Sequence, residues 1–240
     1  MRVAVAAVRA LLAIAIVAAI IGQINTSVGY WQSNGLTDLT SPLVSFFSFF
    51  TVQSNVLTIG VMAWGAARLF RGRTTDSRVF LAFRVADFTY MAITGIVYNL
   101  LLRGIALPQG TTLEWSNEVF HVVAPLVVVL DWLFAPGRSP VRWQVLPRVL
   151  VFPIVWVVYT LIRGPLTPDV LRGVDYWYPY PFLNPNLSHN GYLSVAFYVV
   201  IIALVIASLA ALAIWISRRF AGPAQRISRA AEDEALQPAR

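Results

Sequence analysis

Residues 191–216, with the sequence GYLSVAFYVVIIALVIASLAALAIWI, decide the fold class of this chain. They include no charged side chain, and the stretch exceeds the about 20 apolar residues that a helix needs to cross the hydrocarbon core of a bilayer. A backbone in hydrocarbon must satisfy its own hydrogen bonds, and a helix does so within one segment. The stretch therefore predicts a transmembrane helix.

The composition of the whole chain extends this prediction. Of the 240 residues, 58% are hydrophobic and 12% are charged, about half the charge of a typical soluble domain. The net charge of +7 comes from arginines clustered between apolar runs, which is typical of membrane topology, so we expect no nucleic-acid partner. The chain has no cysteine and two histidines, so we expect no disulfide, metal or cofactor.

Six apolar runs are long enough to be spans, and they leave no room for a large soluble domain. We predict an all-α integral membrane protein in which residues 1–217 form a bundle of six transmembrane helices. The predicted spans lie at about 6–25, 43–67, 79–102, 117–135, 145–163 and 191–216. Residues 218–240 are predicted to be a disordered cytoplasmic tail.

The distribution of arginines predicts the orientation of the bundle. One side carries most of them, namely Arg2, Arg9, Arg68, Arg71, Arg73, Arg78, Arg138, Arg142, Arg218, Arg219, Arg226 and Arg229. The other side carries only Arg103, Arg163 and Arg172. Because arginine-rich loops stay in the cytoplasm, we expect the N- and C-termini to be cytoplasmic.

Polar residues inside the spans fall on common helix faces. At 100° per residue, these faces hold Ser48, Thr51, Asn55 and Thr58 on the second span, Arg84, Asp87, Met91 and Tyr98 on the third, and Asn117, His121, Pro125 and Trp132 on the fourth. At 1.5 Å per residue, Thr51 and His121 both lie roughly 6–12 Å below the outer surface. The three faces are therefore predicted to converge on one cavity.

These polar side chains also have purely structural explanations. Threonine, serine and asparagine in a span commonly form hydrogen bonds between helices. Arg84 and Asp87 are spaced i and i+3, which predicts a mutually neutralising ion pair. Asp131 lies close to the inner interface, where a pairing or anchoring role suits it.

Three short runs carry a resemblance to a known family. They are Phe49-Phe50-Thr51-Val52-Gln53-Ser54-Asn55, then His121-Val122-Val123-Ala124-Pro125 followed by Asp131-Trp132, and Tyr180-Pro181-Phe182-Leu183-Asn184. Together they resemble the bacterial branch of the androgen-induced and androgen-dependent TFPI-regulating protein family, over nearly the whole chain. The resemblance implies a small multi-pass protein, and we expect it in the bacterial cytoplasmic membrane.

The resemblance also implies an activity. Animal members of that family hydrolyse fatty acid esters of hydroxy fatty acids within the membrane, with a threonine nucleophile and a histidine. By resemblance, these roles fall on Thr51 and His121, and the expected partner is a membrane lipid or acyl-ester substrate. A related branch uses an intramembrane cysteine for acyl transfer, and the lack of cysteine argues against that chemistry here.

Such a mechanism assigns expectations to further polar residues. A threonine hydroxyl needs a base to take its proton, and His121 suits that role. Asn55 is the first candidate to stabilise the oxyanion, and the remaining polar candidates near the site are Gln53, Ser54, Tyr98 and Asn117. Glu118 is a candidate to orient the histidine. Arg84 could contact a carboxylate head group if Asp87 does not neutralise it.

Two non-enzymatic hypotheses remain beside the hydrolase. The polar faces could line the path of a lipid-binding or transport protein, and the two prolines of the fifth span, Pro147 and Pro153, are its one support. The uniformly apolar sixth span also fits a structural subunit of a larger complex. Partner proteins are not specified by the sequence.

Overall fold

The computed structural model describes residues 2–105 and 110–220, and within them the chain is helical with a single isolated β-bridge and no strand. The helices are α1 (Arg2–Ser33), α2 (Thr40–Ser48), α3 (Phe50–Phe70), α4 (Arg78–Val97), α5 (Glu114–Glu118), α6 (Ala124–Phe134), α7 (Val145–Arg163) and α8 (Tyr192–Arg219). Two π-helical turns, Tyr98–Leu102 and Val119–Val123, extend α4 and join α5 to α6. The predicted all-helical class is confirmed for these residues.

Five continuous helical stretches are long and apolar enough to cross a membrane: Arg2–Ser33, Arg78–Leu102, Glu114–Phe134, Val145–Leu166 and Tyr192–Arg219. The pair α2 and α3 is a sixth candidate if the two helices count as one span. Five or six helices of spanning length agree with the predicted number of spans at this coarser level.

The second span departs from the prediction of one continuous helix at 43–67. The helix breaks at Phe49, where the backbone is extended (φ −65°, ψ 131°), and α2 and α3 are bent by 70°. The carbonyl of Ser48 lacks a helical partner at this break and accepts a hydrogen bond from Trp156 Nε1 at 2.9 Å. An indole donated from α7 thus satisfies a backbone group that the break exposes.

Two other boundaries differ from the sequence prediction. Helix α1 continues to Ser33 and α2 begins at Thr40, so about two-thirds of the segment between the first two predicted spans, 26–42, is helical. Helix α8 continues to Arg219, which places Arg218 in its last turn. The predicted disordered tail at 218–240 lies, from residue 221 onward, outside the described residues.

Helix α4 is the centre of the bundle. It packs against α3, α6, α7 and α8, while α1 packs along α3 on the far side. Two-thirds of the most apolar window of α4 is buried (67%), against 22–39% in the other continuous spans. Polar residues of α4 therefore face other helices, which explains why it holds Asp87 and Arg84 in buried positions.

Candidate active site

The break at Phe49 gives Thr51 its position. Thr51 is the second residue of α3, and it is buried. Because α2 does not continue into α3, the N–H groups of Phe50, Thr51 and Val52 have no backbone acceptor among the described residues. These groups give the start of α3 a partial positive charge, in the interior of the bundle and beside a hydroxyl.

The first partner of this helix start is Tyr180, from the loop between α7 and α8. Its hydroxyl accepts a hydrogen bond from the Thr51 N–H at 3.2 Å and lies 3.2 Å from Thr51 Oγ1. The ring is buried, with Phe49 edge-on at 5.6 Å and Phe182 stacked at 5.2 Å between ring centroids. Tyr180 was not predicted to have a chemical role, although its aromatic and proline-rich segment is one of the three distinctive runs of the sequence.

His121 lies in the π-helical turn Val119–Val123. Its Nδ1 is 2.9 Å from the backbone carbonyl oxygen of Asn117. A carbonyl oxygen only accepts hydrogen bonds, so Nδ1 carries the proton and Nε2 carries the lone pair. The ring stacks on Tyr98, with centroids 4.0 Å apart and planes 23° apart. In its neutral form the ring is thus held in the tautomer whose Nε2 accepts a proton.

The π-helical turn that contains His121 forms hydrogen bonds with α3 and with the other π-helical turn. A π-turn leaves carbonyl groups outside the regular helical ladder, and such turns are frequent at functional sites. The Phe120 carbonyl accepts a hydrogen bond from Asn55 Nδ2 at 3.4 Å, and the His121 carbonyl accepts one from Asn99 Nδ2 at 3.3 Å. Asn55 also donates to the Thr51 carbonyl at 2.9 Å. Both amide hydrogens of Asn55 are therefore engaged in hydrogen bonds, and one of these bonds holds α3 against the π-helical turn that contains His121.

Thr51 lines two cavities. The smaller, of about 40 Å³, is lined by the apolar residues Phe46, Phe49, Val52 and Phe120 and by the polar residues Gln23, Thr51, Thr112, Asn117, His121 and Tyr180. One water needs roughly 10–15 Å³ of such space, so the cavity has room for water. The larger, of about 160 Å³, is lined mainly by apolar side chains of α4, α7 and α8. Thr51 and Tyr180 line both cavities, so the threonine lies between a large apolar space and a smaller one that also contains polar side chains.

The other predicted polar residues divide into two groups. Asn117 and Tyr98 belong to the site, since the Asn117 amide donates to the Tyr98 hydroxyl beside the histidine. Gln53 and Ser54 do not line either cavity. Gln53 donates instead to the Phe47 carbonyl at 2.9 Å.

Glu118 does not orient the histidine. It forms a largely exposed ion pair with Arg103 at 3.0 Å. The contact to Nδ1 of His121 comes from the Asn117 carbonyl. The Glu118 carboxylate is engaged by Arg103, so the fixed backbone carbonyl one turn before His121 is the group that contacts Nδ1.

The predicted ion pair between Arg84 and Asp87 is wrong. Arg84 instead binds Asp76 at 2.5 Å and Asp131 at 2.9 Å, and Asp131 also binds Arg9 at 2.7 Å. Asp76 precedes α4 and Asp131 lies in α6, and both carboxylates lie where the planar guanidinium group of Arg84 can donate hydrogen bonds to them. Asp87 accepts a hydrogen bond from Thr58 Oγ1 at 2.6 Å. With its side chain 2% exposed and bonded to two carboxylates, Arg84 is not available to a substrate head group.

Comparisons with protein-family models, with curated proteins and with solved structures find no match to this chain. The class that the structure itself defines is an all-helical protein with five to six helices long and apolar enough to span a membrane. No group of three or more histidine, cysteine or acidic side chains able to hold a metal occurs within residues 2–105 and 110–220.

Proposed function

We propose that this chain is an integral membrane protein that hydrolyses lipid esters, with Thr51 as the nucleophile and His121 as the general base. The observation that carries the proposal is that Thr51 lines both a large apolar cavity and a smaller cavity that is also lined by His121 and other polar side chains. An ester hydrolase in a membrane needs both environments at its nucleophile. The acyl chain needs an apolar space, and the base and the hydrolytic water need a polar one.

The proposed first step forms a bond between Thr51 Oγ1 and the ester carbonyl carbon. The hydroxyl proton passes to Nε2 of His121 through a water in the smaller cavity, which both residues line. When the tetrahedral intermediate collapses, the alcohol leaves and takes that proton from Nε2. Water then attacks the acyl-threonine with His121 again as base, which releases the fatty acid and restores the hydroxyl.

The oxyanion of each tetrahedral intermediate needs donors that are already in place. The N–H of Val52 has no backbone acceptor among the described residues and lies one residue after the nucleophile. The Tyr180 hydroxyl is a second candidate donor, since it accepts from the Thr51 N–H and its own proton can be donated to Thr51 Oγ1 or to the oxyanion. These two groups replace Asn55, whose amide hydrogens are already engaged.

The substrate class follows from the larger cavity and from the family resemblance. A lining with Val97, Ile154 and Ile202 suits an acyl chain, and no charged side chain lines it. The resemblance to hydrolases of fatty acid esters of hydroxy fatty acids names the same class of ester. We propose such esters as the first substrates to test.

The proposed location is a bacterial cytoplasmic membrane, with the bent pair α2–α3 counted as the second of six spans. An even number of crossings puts both termini on one side, and the arginine-rich side is the cytoplasm. The site then lies in the outer half of the bilayer.

The decisive experiment uses purified protein, long-chain esters and an activated-ester probe that labels nucleophilic hydroxyls. Thr51→Val removes the hydroxyl at nearly constant volume and is expected to abolish both turnover and labelling, whereas Thr51→Ser retains them. The matched control is Thr94→Val, because Thr94 is buried and lines the larger cavity without a hydrogen bond to its side chain among the described residues. Full activity and labelling in Thr51→Val would disprove the mechanism.

A second candidate function is lipid binding or transport without catalysis. The observation that favours it is the 70° break between α2 and α3, since transporters often build their binding sites at broken helices. An acyl adduct on Thr51, detected by mass spectrometry, supports the hydrolase. Lipid movement across proteoliposomes that is equal in unmodified protein and in Thr51→Val supports the transporter.

A further inference from the structure

A separate groove of about 360 Å³ lies between α3, α4 and α7. It shares no lining residue with the two cavities at Thr51. Its apolar lining includes Leu57 from α3, Ala82 and Ala86 from α4, and Phe152 from α7. The two alanines are one turn apart, so a strip of small side chains leaves the space over α4 unfilled.

Arg148 is the one charged side chain that lines this groove. It lies in the first turn of α7 and is exposed. No hydrogen bond or ion pair joins it to another of the described residues, in contrast to Arg9 and Arg84, which are bonded to carboxylates. An exposed guanidinium beside an apolar groove offers hydrogen-bond donors to an anion, and the groove offers an apolar surface to a hydrocarbon chain.

We propose that this groove binds one anionic phospholipid, with its phosphate at Arg148 and one acyl chain over Ala82 and Ala86. The inference shares the proposed membrane insertion with the hydrolase, and it is independent of the chemistry at Thr51. Basic pockets between spans on the cytoplasmic side are typical sites for anionic head groups. The orientation proposed from the arginines puts the start of α7 on that side.

The length and the lining of the groove limit which molecules can fill it. Its lining on α4 runs from Ala82 to Tyr90, about 12 Å along the helix axis, which is most of the roughly 15 Å of hydrocarbon in one leaflet. A small soluble anion would leave the apolar strip uncovered. An anionic lipid matches both the charge and the shape.

The test measures lipid binding to purified protein by native mass spectrometry and by thermal unfolding, with phosphatidylglycerol and phosphatidylcholine of identical acyl chains. Unmodified protein is expected to bind phosphatidylglycerol more tightly and to gain thermal stability from it. Arg148→Ala is expected to weaken phosphatidylglycerol binding about fivefold or more, because one arginine near an anionic surface contributes about 1 kcal/mol. Arg148→Lys retains most of the preference.

Two further variants distinguish lipid binding in the groove from nonspecific electrostatic attraction to the arginines. Ala86→Phe fills the groove while the charge stays, and it is expected to lose the same binding as Arg148→Ala. Arg71→Ala removes another exposed arginine, outside the groove, and is expected to change nothing. Equal losses in Arg148→Ala and Arg71→Ala would overturn the proposal, as would unchanged binding in Ala86→Phe or equal stabilisation by inorganic phosphate. Thr51→Val is expected to bind phosphatidylglycerol normally, so a failure of the hydrolase proposal would leave this result intact.

Discussion

The hydroxyl of Tyr180 accepts a hydrogen bond from the backbone N–H of Thr51, although 129 positions separate the two residues. The loop between α7 and α8 therefore supplies a side-chain acceptor for a helix that starts inside the bundle. Helix starts in water are usually satisfied by a serine, threonine or aspartate just before the first turn. Here Phe49 occupies that position and has no such side chain, so the acceptor comes from a distant loop.

Tyr180→Phe is expected to lower the rate of ester hydrolysis about 100-fold, the usual effect of losing one oxyanion donor. The ring and its packing on Phe49 and Phe182 remain, so the variant is expected to fold. The measurement is kcat for a long-chain ester. Tyr178→Phe is the matched control, because that hydroxyl faces Tyr192 and does not reach Thr51. Equal rates in the two variants would remove Tyr180 from the reaction.

Asp131→Ala is expected to destabilise the fold by about 3–5 kcal/mol, because it leaves Arg9 without its carboxylate and Arg84 with one partner fewer. Both guanidinium side chains are 2% exposed, so water does not compensate them. Thermal or denaturant unfolding in detergent gives the change. Glu118→Ala, which breaks the largely exposed pair with Arg103, is expected to have a far smaller effect. A similar loss in both variants would contradict this assignment.

Gly164→Ala is expected to cost about 1–3 kcal/mol of stability, in the range of overpacked cores. A Cβ at this position would lie 2.2 Å from the Tyr178 ring, which is rigid and packed. The same clash would shift the loop that carries Tyr180, so we also expect lower activity. Gly60→Ala is the control, since nothing lies within 4 Å of a Cβ there. In the middle of α3 it is expected to be neutral or stabilising by up to about 1 kcal/mol.

The absence of cysteine from the chain makes its topology directly measurable. Asn34→Cys, after α1, is expected to react with a membrane-impermeant maleimide in intact cells. Arg73→Cys, between α3 and α4, is expected to react only after the cells are permeabilised. The opposite pattern would invert the bundle, and reaction of both in intact cells would contradict a crossing by α2 and α3.

The sequence predicted the long helices well because each is a single apolar run. It placed the start of α7 at 145 and its end at 163, as in the structure. The break at Phe49 escaped prediction because no glycine or proline lies there. It is stabilised by groups that are remote in sequence, namely Trp156, which donates to the Ser48 carbonyl, and Tyr180.

The site was predicted only in part, for a related reason. Periodicity placed Thr51 and His121 at one depth, and both line the smaller cavity. Local spacing gave the wrong partner for Arg84, because Asp76 and Asp131 come from other elements and outcompete a neighbour at i+3. The π-helical turns have no sequence signal of their own, so the carbonyl contacts that they create could not be foreseen.

The π-helical turn at Val119–Val123 has a genetic consequence. It holds one more residue per turn than an α-helix, so an in-frame deletion of a single codon, for instance that of Val123, would restore an ordinary helix. Because the π-turn absorbs the extra residue, the helix on either side would keep its phase, and the change would fall on the residues of the turn itself, His121 among them. The carbonyl contacts of the turn would be lost while α6 kept its packing. A single-codon deletion could therefore distinguish homologous proteins that keep this arrangement of His121 from homologous proteins that keep only the helical bundle.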